Sequence, residues 1–189
     1  MAAQVERSFN RRFWNATAAC LFDVVDSHGH DAAIRPNQIF AVSLPYSMLD
    51  RKWAAGVVAV VERDLLTLYG LRSLALSAPH YRGRCEGDPG SRDSAYHQGT
   101  VWSWLMGPFI TAYLKVHRHS DATRQQALAW LAPLRKHLEE AGGGQISEIF
   151  DGDAPHQPRD CIAQAWSVEE LLRVLVQEVL PARPMLMHD

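Results

Sequence analysis

Apolar residues recur at helical spacing through most of this chain, and this periodicity constrains its fold more than any other feature. The clearest set follows positions i, i+3, i+4, i+7 and i+8, and its members are Trp102, Leu105, Met106, Phe109, Ile110 and Tyr113. Such spacing lays one wide apolar stripe along a helix. We expect most of the stripe to lie in a core, with only Trp102 as a candidate wall of a binding site. Gly107-Pro108 interrupts the stripe and predicts a kink.

Helical signals also mark the first third of the chain. Residues 5–20 predict a first helix, and Pro36 predicts the first turn of a shorter one. Asp50 is a candidate N-cap for a helix whose apolar positions run from Trp53 to Leu65.

Two more helices are predicted toward the end of the chain. Residues 120–140 place leucines at helical spacing, and the glycines at 142–144 predict a break after them. The capping-box pattern of Ser167 and Glu170 predicts the start of a last helix, with apolar positions through Val179. About six helices and no convincing run of strands indicate an all-α protein.

Three long polar segments separate these helices. They are residues 28–37, 69–97 and 145–164, and each is dense in Arg, Asp, His, Asn and Gln. The 69–97 segment has no periodicity, and it exceeds the ~12–15 residues beyond which a structureless loop is uncommon unless it has a function. Since all three segments adjoin helices, we expect them to meet at one end of the domain and form a concave polar site.

Charge and hydropathy exclude several classes of function. Nineteen Lys and Arg against 21 Asp and Glu give a net charge of −2, which does not suit a general nucleic-acid binder. No apolar run approaches the ~20 residues that span a bilayer, and the N-terminus lacks the apolar core of a signal peptide. We therefore expect a cytoplasmic protein without nucleic-acid or membrane partners.

The sequence carries no motif for a metal or a cofactor. Cys20, Cys85 and Cys161 lie far apart and predict neither a disulfide framework nor a thiolate zinc site. Residues 28–31, HGHD, are interpreted as a solvated turn because no third histidine stands at metal-ligand spacing. Motifs of phosphate-binding loops, dinucleotide sites, serine hydrolases and zinc proteases do not occur. We expect no metal and no cofactor.

A carbohydrate suits a polar pocket with aromatic walls. Sugar hydroxyls need many hydrogen-bond partners, and the C–H face of the ring packs on flat aromatic side chains. Cleaving a glycosidic bond requires two carboxyl groups on opposite sides of the bond. Glu148, between Ile146 and Ile149, and Asp93 are the candidates. From the residues alone, the favoured interpretation of Glu148 is an acidic surface turn. For Asp93, a functional role and a structural role, as an ion-pair partner or an N-cap, are equally open.

Longer motifs carry a resemblance to a known family. Residues 9–176 contain these stretches in family order: LFDVVD at 21–26, IRPNQIFAVSLP at 34–45, LTLYGLR at 66–72, RDSAYHQGTVWSWLMGPF at 92–109, ISEIFDG at 146–152, PR at 158–159 and CIAQAWS at 161–167. They resemble the C-terminal domain of bacterial and archaeal glycogen debranching enzymes. The motifs are long and ordered, so the resemblance is specific.

The resemblance implies a fold and an activity. The family's domain is an (α/α)6 barrel of the six-hairpin, glucoamylase-like kind. Its activity is that of an amylo-α-1,6-glucosidase, which hydrolyses the glucosyl stub at a glycogen branch point with inversion at the anomeric carbon. About six helices amount to half of such a barrel. We therefore expect residues 1–189 to form a single C-terminal portion of the domain, with the N-terminal half of the barrel absent.

The resemblance also implies roles for individual residues. Glu148 matches the glutamate that acts as general base, which reverses the interpretation drawn from the residues alone. The positions that match sugar contacts at the open end of the barrel are Arg35, Asn37, Gln38, Asp93, His97, Gln98 and Trp102. Gln164 and Trp166 are further candidates for contacts with the substrate.

The sequence departs from the family at several positions. The family usually has proline at Leu68 and Ser103, an aromatic residue at Cys85 and glycine at Asp160. The change at Cys85 removes a ring that could face the sugar. The family's general acid is an aspartate upstream of the motif at which this chain begins, and no residue here matches it.

The resemblance and the unmatched general acid together determine which partners and functions we expect. The implied substrate is a branched α-glucan, either glycogen or a limit dextrin, and general acid catalysis is typically worth ~10²–10⁴ in rate. Two sources of the missing half stand open, a separately encoded N-terminal half-barrel chain and self-association. Two alternatives to a hydrolase also stand open: a non-catalytic α-glucan-binding or scaffold protein, and a truncated inactive remnant.

Overall fold

The structure is a computed structural model that describes residues 1–141 and 143–180. Gly142 and residues 181–189 belong to the predicted domain and lie outside the described residues. The described part has seven α-helices: α1 Ala2–Phe13, α2 Phe40–Ser43, α3 Arg51–Leu65, α4 Pro89–Ala95, α5 Met106–Val116, α6 Asp121–Glu140 and α7 Ala165–Val174. Short 3-10 turns at Pro36–Ile39 and Ser103–Leu105 lead into α2 and α5, and a π-helical turn at Leu175–Val179 extends α7.

Eight short strands join the loops between these helices. They are β1 Trp14–Asn15, β2 Cys20–Leu21, β3 Val24–Val25, β4 His30–Asp31, β5 Leu71–Arg72, β6 Val101–Trp102, β7 Ile149–Phe150 and β8 Pro158–Arg159. β1 pairs with β2 and β3 with β4, while β5 to β8 form one antiparallel sheet in sequence order. The predicted all-α class is confirmed in its helices, and these strands were not predicted because a two-residue strand is too short to show alternation.

Helix α5 lies at the centre of the core. Phe109, Ile110 and Leu114 are fully buried, and α2, α3, α6 and α7 pack around α5. Gly107 and Pro108 stand in the first turn of α5 and not in mid-helix, so the predicted kink is wrong. A proline fits that turn because the N–H groups at a helix start have no intrahelical partner.

The first helix ends at Phe13 and not at Cys20, as was predicted. The side chain of Asn15 accepts hydrogen bonds from the N–H groups of Thr17 and Ala18 at 3.1 and 3.2 Å. Such local side-chain bonds compete with helix and favour a turn. The chain therefore reverses there, and β1 and β2 form a hairpin where a helix was expected.

Helices α3 and α6 occupy their predicted segments. The predicted cap is confirmed, since the carboxylate of Asp50 accepts the N–H of Lys52 at 3.1 Å. Ser120 caps α6 through its hydroxyl, and α6 then runs to Glu140. The helix thus ends before the glycine run that was predicted to break it, of which Gly142 lies outside the described residues.

The predicted capping box of the last helix is wrong. Helix α7 begins at Ala165, so Ser167 lies inside its first turn, where its buried hydroxyl donates to Gln164 Oε1 at 2.6 Å. Glu170 instead pairs with Arg173, whose Nη2 lies 2.9 Å from Glu170 Oε2. The Gln164–Ser167 bond joins two side chains, and no side chain of the described residues caps the start of α7.

The 69–97 segment contains β5 and α4 as well as loop. The Asp88 carboxylate accepts the Ser91 N–H at 2.9 Å, and Pro89 occupies the first helical position. This pair is a readable start signal. Periodicity missed it because α4 has seven residues and only Ala95 is buried.

About half of the described chain is helical, and small sheets form where its polar loops meet. Among the described helices, none combines the length and the apolar character that crossing a bilayer requires.

Candidate carbohydrate site

The four-stranded sheet brings distant parts of the chain together. β6 lies between β5 and β7, so Trp102 has Leu71 on one side and Ile149 on the other. Glu148 directly precedes β7 and is placed beside β6 by this pairing. Its backbone N–H donates to the carbonyl of Cys161 at 2.8 Å. The Glu148 peptide is therefore held between β6 and the chain that follows β8.

Arg35 joins the first polar segment to the second. Its Nη1 donates to the carbonyls of Ser73 and His97 at 3.1 and 2.8 Å, and its Nη2 donates to Gln98 Oε1 at 2.7 Å. The Nε atom lies 3.5 Å from Asp23 Oδ2. Because protein groups occupy these donors, Arg35 acts here by positioning the loop that carries His97.

The third polar segment packs against the second. The Gly152 N–H donates to the Gly83 carbonyl at 2.6 Å, and Arg72 Nε donates to the Gly152 carbonyl at 3.0 Å. The Tyr81 hydroxyl donates to Asp153 Oδ1 at 2.9 Å. A side chain at position 152 would run into the Gly99 backbone and the Tyr81 hydroxyl, so glycine is required for this close approach. The prediction that the three polar segments meet is confirmed.

A cavity of about 510 Å³ opens where the first and second polar segments meet the starts of α5 and α7. Its lining consists of Arg35, Pro36, Asn37, Phe40, Ser73, Tyr96, His97, Trp102, Trp104, Leu105 and Trp166. Five of these were predicted as sugar contacts, and they come from three separate motif stretches of the chain. The volume lies within the range of ordinary ligand pockets.

Stacked rings form one wall of this cavity. The His97 ring stacks on Trp102 with 5.0 Å between centroids and a 10° interplanar angle. Tyr96 meets both rings edge-on, at 4.7 Å from His97 and 4.8 Å from Trp102. Trp102 Nε1 donates to the Tyr96 carbonyl and to Thr100 Oγ1 at 3.3 and 3.2 Å. The wall is rigid before any ligand arrives.

Tyr96 links Glu148 to the cavity. The Tyr96 phenol donates a hydrogen bond to Glu148 Oε1. Glu148 is partly buried between Ser147 and Ile149, which are buried. Burial, followed by the Glu148 carboxylate, raises the pKa of Tyr96 well above its usual range. The phenol is therefore a neutral donor throughout the physiological range, and it directs one oxygen of Glu148.

Asn37 lines the cavity, whereas Gln38 and Asp93 lie in different surroundings. Asn37 Nδ2 donates to Asp23 Oδ1 at 2.8 Å. Gln38 is buried, and its amide binds the Leu21 N–H and the Arg35 carbonyl, each at 3.2 Å. Asp93 is exposed on α4.

Gln98 and Gln164 serve the protein's own hydrogen bonding. Gln98 Oε1 accepts from Arg35, and Gln164 Oε1 accepts from Ser167. The Gln164 N–H also donates to the Ile146 carbonyl at 3.0 Å, which ties α7 to the stretch before Glu148. Both side-chain amides therefore position other side chains of the protein.

Six lining residues were not predicted as sugar contacts: Pro36, Phe40, Ser73, Tyr96, Trp104 and Leu105. Tyr96 stands between two predicted site residues, so its place in the same motif was an available signal. Trp104 falls outside the helical stripe that begins at Trp102. Its exclusion from that apolar face was the signal that it faces elsewhere.

Two departures from the family contact each other beneath Tyr96. Cys85 Sγ lies 3.7 Å from Asp160 Oδ2. Asp160 has a φ of 53°, in the left-handed region that favours glycine and that aspartate tolerates better than most residues. Burial and the neighbouring Asp160 carboxylate raise the pKa of the Cys85 thiol to about 11. Cys85 is therefore protonated and unreactive at neutral pH.

A buried ion pair supports the loop that follows Glu148. Asp151 is 4% exposed, and the Arg159 guanidinium binds both of its oxygens, with Nη2 to Oδ2 at 2.8 Å. Asp151 Oδ1 also accepts the Cys85 N–H at 3.0 Å. Because a buried carboxylate is stable only when it is paired and hydrogen-bonded, this network fixes the geometry beyond β7.

Within residues 1–141 and 143–180, no group of three His, Cys, Asp or Glu side chains lies close enough to hold a metal ion. The features that remain are a domain that is about half helical and a cleft walled by Trp, His and Tyr rings. Such a cleft suits a carbohydrate, because the C–H faces of sugar rings pack on aromatic rings and sugar hydroxyls bond to polar groups. The family described as amylo-alpha-1,6-glucosidase matches residues 1–173, and the chain belongs to this family. The resemblance drawn from the motifs is confirmed.

A characterised relative points in the same direction. The chain is 26% identical over 161 residues to the glycogen debranching enzyme of Saccharomyces cerevisiae. The match covers 75% of this chain and 10% of the yeast protein, so the chain spans about a tenth of the length of that relative. The chain is thus related to glycogen debranching proteins and to glycoside hydrolases.

Proposed function

We propose that this chain carries the general base and part of the substrate cleft of an inverting amylo-α-1,6-glucosidase. The observation that carries the proposal is the position of Glu148, whose carboxylate is bound by a phenol that lines the aromatic cavity. In this proposal the cavity holds the glucosyl unit at a branch point of glycogen or a limit dextrin. Arg35, Asn37, Gln38, Asp93, His97, Gln98, Trp102, Gln164 and Trp166 bind that unit or position the groups that do.

Glu148 acts on water in the proposed reaction. Its carboxylate removes a proton from a water molecule whose oxygen attacks the anomeric carbon, and the bond from that carbon to the glycosidic oxygen breaks. The departing oxygen takes a proton from a carboxylic acid on the opposite side of the sugar. In inverting enzymes the two carboxyl groups stand roughly 6.5–9.5 Å apart, which leaves room for the water. We propose that this acid comes from outside residues 1–189.

An apolar groove supports the proposal that further helices complete the domain. It has a volume of about 500 Å³ between α6 and α7, with leucines 128, 131 and 138 of α6 facing Leu171 and Leu172 of α7. Leu172 is 59% exposed and Val176 is 57% exposed. Helices of the other half of an (α/α)6 barrel would cover these side chains, whether they belong to a separate chain or to a second copy.

An activated substrate tests the base without the acid. α-D-Glucosyl fluoride needs little protonation of its leaving group, so attack by water depends chiefly on the general base. We expect the chain to release fluoride and the Glu148→Gln variant to lose at least about 100-fold in rate. Glu169→Gln is the matched control, because Glu169 is exposed on α7.

Two outcomes would count against this function. Equal fluoride release by Glu148→Gln and the unaltered chain would remove Glu148 from the role of base. Binding of maltooligosaccharides without any fluoride release would instead favour the non-catalytic α-glucan-binding alternative.

A further inference from the structure

Three aromatic side chains stack in a row beside the cavity. The Phe40 and Trp104 rings lie 5.8 Å apart at 28°, and the Trp104 and Trp166 rings lie 4.1 Å apart at 18°. We call Phe40, Trp104 and Trp166 the aromatic ridge. It joins α2, the turn before α5 and the first turn of α7, so its position is set by the helical core.

The aromatic ridge borders two cavities. One is the cavity that Tyr96 lines, and the other has a volume of about 570 Å³ between α2, α5 and α7. All three ridge residues line both. The second cavity adds polar side chains from α7 and the turn that follows it, among them Arg173 and Gln177.

The polar side of the second cavity is held in place by the protein. Arg173 Nε donates to Glu170 Oε1 at 3.0 Å, and its Nη2 donates to Thr111 Oγ1 at 3.3 Å. Gln177 is exposed at the rim. Because these hydrogen-bonding groups are already fixed, less conformational entropy is lost when a ligand binds.

In a second tryptophan pair, a lysine side chain of the protein covers one ring face. Trp14 and Trp53 stack at 4.5 Å and 6°, and the Lys52 ammonium lies 4.6 Å from the centroid of the Trp53 ring. Trp166 packs on Trp104 and is still 50% exposed. The two pairs therefore differ in how much ring surface a ligand can reach.

We infer that the aromatic ridge and the second cavity bind the α-glucan chain that extends from the unit held in the first cavity. The C–H face of a sugar ring packs on the exposed face of Trp166, and hydroxyls of the chain bond to Arg173 and Gln177. The ligand class rests on the proposed function. The binding surface rests on the rings and polar groups described above.

Maltoheptaose is the probe, added to the full chain and followed by calorimetry and by heteronuclear NMR. We expect it to shift the indole signal of Trp166 and the side-chain amide signal of Gln177. We expect Trp166→Ala to weaken binding about tenfold or more and Trp166→Phe, which keeps a ring, to weaken it less. Trp53→Ala is expected to change affinity less than about threefold.

Gln177 tests the second cavity by itself. We expect Gln177→Ala to weaken maltoheptaose binding about two- to fivefold, the scale of one modest hydrogen bond, whereas Gln126→Ala, an exposed glutamine on α6, leaves it unchanged. Absence of shifts at Trp166 and Gln177, or equal losses in Trp166→Ala and Trp53→Ala, would overturn the inference.

Different experimental results would contradict the inference and the proposed function. Fluoride release that depends on Glu148, without maltoheptaose shifts at Trp166, would leave the base in place and remove the ridge as a binding surface. Maltoheptaose binding at the ridge, together with full fluoride release by Glu148→Gln, would leave the ridge and remove Glu148 as base.

Discussion

The phenol of Tyr96 donates a hydrogen bond to the carboxylate of Glu148, across 52 residues of sequence. Tyr96 is itself held in place, since its carbonyl accepts from Thr100 Oγ1 at 2.6 Å and from the Trp102 indole at 3.3 Å. The direction of the Glu148 oxygen is therefore set by the strand pairing of β6 and β7 and by one side chain from the end of α4.

Replacing Tyr96 by phenylalanine removes this bond and keeps the ring. A hydrogen bond to a charged group is worth roughly 1.5–3 kcal/mol, so we expect fluoride release to fall roughly 10- to 100-fold. Tyr46→Phe is the control, since Tyr46 is 95% exposed. A rate of fluoride release in Tyr96→Phe equal to that of the unaltered chain would show that the bond does not act on the reacting carboxylate.

Alkaline pH is expected to weaken the packing of the second and third polar segments. Burial, with the Asp153 carboxylate, raises the pKa of Tyr81 from 10.0 to about 12. A pKa that is raised on folding contributes stability that is fully present below pH 10 and is lost between about pH 10 and 12. Urea unfolding across this range should show the decline in the unaltered chain and a shallower decline in Tyr81→Phe. Equal slopes would mean that other groups govern alkaline unfolding.

The helices could be predicted from the sequence because their signals are local. Asp50 stands next to the helix that it caps, and the leucines of α6 repeat within one segment. The β1–β2 hairpin was missed because one side chain, Asn15, overrides the helical propensity around it. The start of α7 was predicted at the wrong residue because the Ser167 hydroxyl bonds to the Gln164 side chain and does not cap the helix.

The same distinction applies to the site: local motifs predicted some of its residues, but not those whose role depends on distant parts of the chain. Motif resemblance found His97 and Trp102, which the structure places in one stacked wall. It did not find Tyr96, because the role of Tyr96 depends on a carboxylate that only the pairing of β6 with β7 brings near. Local patterns also could not separate side chains that line the cavity from those, such as Gln38, that bind backbone.

Mild acid is expected to destabilise the stretch before Glu148 through His137. Burial lowers the pKa of His137 below 6.5, and its Nε2 lies 3.4 Å from the Ser147 N–H, which it accepts only when unprotonated. A pKa that is lowered on folding contributes stability that is present above pH 6.5 and is lost as the pH falls through the folded value. Melting temperatures between neutral and acidic pH should therefore fall more in the unaltered chain than in His137→Gln, which cannot take up a proton there. A parallel fall in both would assign the acid sensitivity to other groups.

Proline at position 103 is expected to stabilise the chain. Ser103 is fully buried, and its hydroxyl has no hydrogen-bond partner among the described residues. It opens the 3-10 turn before α5, and Trp102 before it is extended, with φ −109° and ψ 115°, which suits a following proline. Removing an unpaired buried hydroxyl and restricting the unfolded chain should add roughly 1–2 kcal/mol to the free energy of unfolding. Denaturant titration measures this gain, with Ser103→Ala separating the effect of the hydroxyl from that of the ring. A loss of stability in Ser103→Pro would show that the turn needs the Ser103 N–H.

Gly107 permits the close approach of α5 to α7, and a methyl group there is expected to be costly. A Cβ at position 107 would lie 3.0 Å from the carbonyl oxygen of Glu170 and would collide with its carboxylate, which Arg173 holds in place. Overpacking of this kind typically costs about 1–3 kcal/mol, which outweighs the better helix propensity of alanine. Gly90→Ala is the matched control, because Gly90 is also the second residue of its helix and a Cβ there meets only Asp88 Oδ1, at 3.4 Å. We expect urea unfolding to show a loss of stability for Gly107→Ala and none for Gly90→Ala, and equal stability of the two variants would show that α5 and α7 can separate at no cost.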